Sequence, residues 1–212
     1  MSEAALLSLV QWLSPAFPTG GFAYSHGLEQ AIAAGAVKDA ATLGDWIGDV
    51  VGQGSGAVDA VLVVRAMMPD ADGGALAALA RALAPSRERL AETEEQGAAF
   101  SRTVAAIAGV EPVELPLPVA VGRAAAPLGL PPERVAAVYL HAFASNLVQA
   151  GVRFIPLGQT EGQKCLAALH PRIEATARRA CVTSLDRIGT AAVGADLSAM
   201  EHETLNVRIF RT

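Results

Sequence analysis

Along most of the chain, apolar residues recur at the three-and-four spacing of helices, with proline, glycine or capping residues between the runs. Ala4 to Leu13 is the first run, stopped by Ser14-Pro15. The segment from Pro15 to Gly21 holds two prolines and two glycines, which excludes regular structure there. Ser25 stands where it can cap a helix running to about Ala34, with Gly35 closing it. Asp39 or Thr42 opens the next, whose Trp46, Ile47, Val50 and Val51 share one face, and Gly52 to Gly56 breaks it. Val58 to Met68 is apolar apart from Asp59 and Arg65, which predicts a central core helix. After a Pro69–Gly74 loop comes a short Ala/Leu helix to about Leu83. Ser86 then caps the longest helix, roughly 87–109, charged in its first half and apolar in its second.

Past a proline-broken connector (111–118), helices are expected over 119–128 and 133–154. Val152 to Leu157 has some strand character, but no other segment alternates as its partner would. Thr160 with Gln163 has the form of a capping box, His170-Pro171 opens a further helix, and one more spans about 197–205. Without an internal repeat or a low-complexity linker, the pattern predicts an all-α, single-domain bundle of about ten helices over residues 1–212.

Composition narrows this further. Hydrophobic residues make up 52% and charged residues 17%, which excludes a disordered chain, and at 5% aromatics the core is built mainly from Ala and Leu. The net charge is 16 − 21 = −5 with scattered basic residues, so no nucleic-acid footprint is expected. Arg172, Arg178 and Arg179 cluster, but Glu174 and Asp186 dilute them. Cys165 and Cys181 are too far apart for a CxxC pair and read as small buried hydrophobes. The N-terminus has no basic leader. The most apolar runs are interrupted by Asp59, Arg65 or prolines, so no membrane span and a cytoplasmic location are expected.

No catalytic constellation emerges. Gly158 to Lys164 imitates a phosphate-binding loop, but three residues separate its glycines, Gln163 precedes Lys164, and Cys165 stands where Ser or Thr is needed. Ala23-Tyr-Ser25-His-Gly27 falls one residue short of a nucleophile elbow and lacks the preceding sheet that strains such a serine. The four histidines, His26, His141, His170 and His202, are isolated in sequence, without metal-ligand spacing. His26 and Glu29 can share a helix face, as can His202 with Glu201 or Glu203. No enzyme activity, cofactor or metal site is expected.

Three well-separated segments carry a resemblance. Trp12-Leu-Ser-Pro-Ala-Phe-Pro-Thr-Gly-Gly-Phe-Ala-Tyr-Ser-His-Gly-Leu-Glu29, Phe154-Ile-Pro-Leu-Gly-Gln-Thr-Glu-Gly-Gln163 and the terminal Met200 to Thr212 together resemble the signatures of the UreF urease accessory family. Arg89 followed by Glu92 to Gly97 falls where that family carries an RETxELR-like helix, though the copy here, Arg87 to Glu95, departs from its pattern. In the tail, Asn206 replaces a common Tyr and Ile209 a Leu.

The resemblance implies a non-enzymatic helical scaffold needed for nickel insertion into apo-urease. It also implies a homodimer that binds the UreD/UreH accessory protein and recruits the nickel-carrying GTPase UreG. The expected partner-binding residues are Phe17, Phe22, Tyr24, His26, Glu29, His202, Glu203, Arg208, Phe210 and Arg211. The 189–212 tail is expected to order on partner binding, with Arg208 tying it to loop carbonyls. Arg153, Arg208 and Arg211 are the candidates for an arginine offered to the GTPase. Two other readings stand beside this one: a small helical hydrolase using Ser25, and a direct nickel chaperone using His26, Glu29 or His202.

Overall fold

A computed structural model describes residues 2–211. Among them, eleven α-helices and three short 3-10 turns follow one another without a strand, the all-α architecture that the periodicity predicts. The helices are α1 (Glu3–Trp12), α2 (Leu28–Ala33), α3 (Ala40–Gln53), α4 (Ser55–Ala66), α5 (Gly73–Ala82), α6 (Arg87–Ala108), α7 (Leu117–Ala125), α8 (Pro132–Phe154), α9 (Gln159–Ala168), α10 (His170–Val182) and α11 (Val193–His202).

Local chemistry sets several of these starts. Asp39 accepts the Thr42 amide at 2.9 Å while Thr42 Oγ1 accepts the Asp39 amide at 3.1 Å, a reciprocal cap that begins α3. The Asp72 carboxylate takes the amides of Gly74 and Ala75, and Ser86 Oγ takes that of Arg89. Gly109, left-handed at φ 69°, closes α6.

The bundle is organised around α4 and α8. From Ala60 to Val64 no residue of α4 exceeds 5% exposure, and Val135, Leu140, Leu147 and Val148 of α8 are fully buried. Each such side chain contributes about 1.5–3 kcal/mol by leaving water. Phe100 of α6 is also buried. It receives the edge of Trp12 at 6.2 Å and the ring of Phe17 at 5.6 Å, which pins the turn-rich 13–21 segment to α6.

Three sequence expectations need correction. The Thr160 capping box is not formed: α9 starts two residues earlier, with Gly158 as its cap and no side-chain capping bond, so Thr160 lies inside the first turn. The break expected over Gly52–Gly56 shrinks to Gly54, because the helical turns on either side bury their small residues in the core. The last helix begins at Val193 rather than near 197. Residues 40–66, two helices meeting at Gly54, and residues 132–154 are long and apolar enough to cross a membrane by length and composition alone, and 78% and 50% of these windows are buried against other helices, as core helices are.

Candidate functional site

The chain's two ends meet over the N-terminal half of α6, and carboxylates make the seam. Glu29, in the first turn of α2, accepts the backbone amides of Ile209 and Phe210, both at 2.9 Å. It also receives His202 Nε2 at 3.1 Å. The other ring nitrogen of His202 contacts Glu88 of α6 at 2.7 Å, and Arg208 binds that same carboxylate at 2.5 Å. His202 is wholly buried, with one ring nitrogen facing each carboxylate. Arg208 therefore pairs with Glu88 and not with the loop carbonyls expected of it. Burial works to raise the Glu29 carboxyl, but hydrogen bonds from His202, Phe210 and Ile209 hold it below its ordinary value.

A second fastening lies further out. Arg211 forks onto Glu95 at 2.5 and 2.8 Å, its amide donates to Ala23 O at 2.8 Å, and its guanidinium lies 5.4 Å over the Tyr24 ring. The Tyr24 hydroxyl donates to Glu95 at 2.7 Å, and burial together with that carboxylate raises the phenol well above its usual range. Glu203 receives the amide of Arg87 at 2.7 Å and its Nε at 3.0 Å, a carboxylate seated on the N-terminus of α6. Phe210 is buried, 5.2 Å from Phe154 and under Arg153 at the end of α8.

One backbone feature makes the seam possible. His26 and Gly27 are both left-handed, at φ 54° and 77°. A Cβ on Gly27 would meet the backbone of Ala199 at 2.5 Å, so glycine there lets α11 lie directly on the loop. The next residue along the loop's other face is His26. Its Nε2 stands 2.9 Å from Glu92, and its ring packs edge-on against Phe143.

Beneath the seam runs a buried polar relay that sequence reasoning did not assign. Arg89 Nη2 and the Tyr139 hydroxyl both donate to Asp59 Oδ2 at 2.7 Å, joining α4, α6 and α8. Glu92 takes Gln96 at 2.8 Å and His26, while its other oxygen, 3.5 Å from Arg89, lacks a hydrogen-bond partner. Burial raises Asp59 above the usual carboxylate range even though Arg89 and Tyr139 oppose it; the burial of Glu92 is outweighed by His26 and Arg89, which hold it low. Next to Glu92, His26 and Asn146 lies a cavity of about 120 Å³.

Of the residues expected at a partner surface, Phe22 is 66% exposed, whereas Phe17 and Tyr24 are buried. His26, Glu29 and His202 lie in the interior, while Arg208 and Arg211 keep part of their surface in water. Phe22 rims an open groove of about 520 Å³ with Thr19, Tyr24, Glu95 and Arg211, where the tail, the loop and α6 meet. Among the described residues, no group of three or more His, Cys, Asp or Glu can hold a metal ion. Ser25 is fully buried, and its Oγ accepts the Glu29 amide at 3.3 Å, so no substrate can reach it.

Comparison with known proteins shows the family. The UreF family model matches residues 37–170, well over half of the chain. The chain belongs to the UreF family of urease accessory proteins. The urease accessory protein UreF of Cereibacter sphaeroides strain KD131 is 64% identical over 210 residues, covering 99% of this chain and all of the relative. That of Roseobacter denitrificans is 50% identical over 214 residues, covering the whole chain and 96% of the relative. That of Paracoccus denitrificans is 51% identical over 210 residues, covering 99% and 97%. As a UreF-family member the chain is a urease accessory protein and not an enzyme. The family match contains the whole of α3 to α9, including Glu88 and Glu95, while the rest of the carboxylate seam comes from segments on both sides of it.

Proposed function

We propose that this chain is a cytoplasmic, homodimeric scaffold that bridges UreD/UreH and UreG during nickel insertion into apo-urease, and that its carboxylate-held tail gates the docking of UreG. The observation that carries the reading is the double fastening of residues 208–211 by Glu29, Glu88 and Glu95. A chain terminus is ordinarily frayed. Here it is built into a surface that ends in exposed Phe22, Val207 and Ile209 beside an open groove. Such a mixture of apolar anchors and fixed charge suits a protein partner. The 189–212 segment acts as the partner-binding tail.

Gating is favoured over donation of Arg208 or Arg211 to the GTPase, because each is already engaged by a carboxylate, while Arg153, the third candidate, lies over the Phe210 ring and donates to Phe22 O. An arginine finger must be free to reach a γ-phosphate. Co-expression of the chain with UreD/UreH, followed by size exclusion with UreG, tests the reading. A complex containing all three proteins is expected, and Arg208→Ala should lose UreG while keeping UreD/UreH. A chain that ignores both partners would refute the scaffold, and normal capture of UreG by Arg208→Ala would refute the role of the tail.

A further inference from the structure

Away from the seam, two imidazoles meet on the outside of the bundle. His141 projects from the middle of α8, and His170 stands at the first position of α10, 29 residues later in the chain. Their ring centroids are 5.6 Å apart with planes inclined at 48°. Both residues are exposed. Among the described residues, neither ring makes a hydrogen bond or ion pair to the protein.

We propose that His141 and His170 together form a two-imidazole site for a borderline divalent transition-metal ion, of the class of nickel, zinc and copper. A metal–nitrogen bond of about 2.0–2.1 Å, with the ring centre a little over ~1 Å behind the nitrogen, puts two cis imidazoles on one ion about 4.5–5 Å apart between centroids. The observed separation exceeds this by about half an ångström, which a small side-chain rotation of exposed rings supplies. Metal binding requires neutral imidazole, so protons compete with the ion for both rings.

Nitrogen donors select this class over magnesium and calcium, which favour oxygen. With only two protein ligands, water completes the coordination, and the site exchanges its ion readily instead of serving as a structural centre. The pair is distinct from the tail seam. It also stands independently of the maturation reading, since it is measured on the isolated chain.

Equilibrium dialysis of the untagged chain against nickel, zinc, copper and magnesium chlorides tests the proposal. One ion per chain is expected, with copper held tighter than nickel or zinc, no magnesium retained, and retention lost by pH 5.5. His141→Ala and His170→Ala should each weaken nickel binding at least tenfold with unchanged helical circular dichroism. Nickel should also raise the melting temperature of the wild type, by tying α8 to α10, but not that of either variant. Three results would overturn the site: no retention at millimolar nickel, wild-type affinity in both variants, or one ion shared by two chains.

Discussion

Replacing Glu29 by Gln should release the C-terminal tail while leaving the bundle intact. The carboxylate receives two backbone amides and the buried His202, three contacts within 3.1 Å. Hydrogen bonds to a charged group contribute about 1.5–3 kcal/mol each, and an isosteric amide keeps one acceptor oxygen while losing the charge. Because the freed amides can return to water once the tail lifts, the loss is limited to the free energy of tail docking, about 2–4 kcal/mol. At about 1.4 kcal/mol per tenfold, amide exchange at Ile209, Phe210 and Arg211 should accelerate roughly 30- to 1,000-fold. Hydrogen-exchange mass spectrometry can read a C-terminal peptide against peptides from α4 and α8, which should change little. Unchanged protection of the tail would refute the clamp, as would an equal loss of protection in α4 and α8.

Acid should undo the same clamp. Glu29 is held low against its burial, and Glu95 is held low by Arg211 and Tyr24, both below the ordinary 4.5. A depressed folded pKa means the contribution is complete above that ordinary value and lost as pH falls through the folded values, so tail protection should decline below about pH 4.5, ahead of any core transition. Arg89→Ala leaves Asp59 and Glu92 buried without their cation and should cost about 3–5 kcal/mol, lowering the melting temperature by roughly 10 °C; a drop below ~3 °C would contradict the relay. Gly27→Ala should cost about 2 kcal/mol or more and loosen α11, seen as faster exchange over residues 193–202, because the Cβ meets Ala199 backbone at a left-handed position.

The helices were legible because apolar spacing and punctuation are local signals: Asp39, Ser86 and Gly109 act at the positions their types suggest. Thr160 misled because a polar pair at capping spacing does not show whether the preceding glycine already starts the helix. The three resemblance segments hold Glu29, His202, Arg208, Phe210 and Arg211 of the seam, but not their pairings and not Glu88 or Glu95. Glu29 and Phe210 lie 181 positions apart, and no local rule joins them. Glu88, Glu92 and Glu95 stand in the charged first half of the longest helix, yet Glu92 is buried and the side chain of Glu88 is mostly covered. One signal was present: Asp59, the one acidic residue in an apolar run, needs a polar partner when buried, and Arg89, Glu92 and Gln96 share the face of α6 that supplies it. His141 and His170 are likewise invisible as a pair until α8 and α10 pack.

The most direct test of the scaffold is the nickel content of urease matured in cells whose own UreF protein has been deleted. Complementation with this chain should restore nickel occupancy and urease activity. A form ending at residue 202, checked for its helical circular dichroism, should leave the urease nickel-free despite normal levels of the other accessory proteins. Full nickel loading with the shortened form would contradict the claim that the carboxylate-held tail is what the chain contributes.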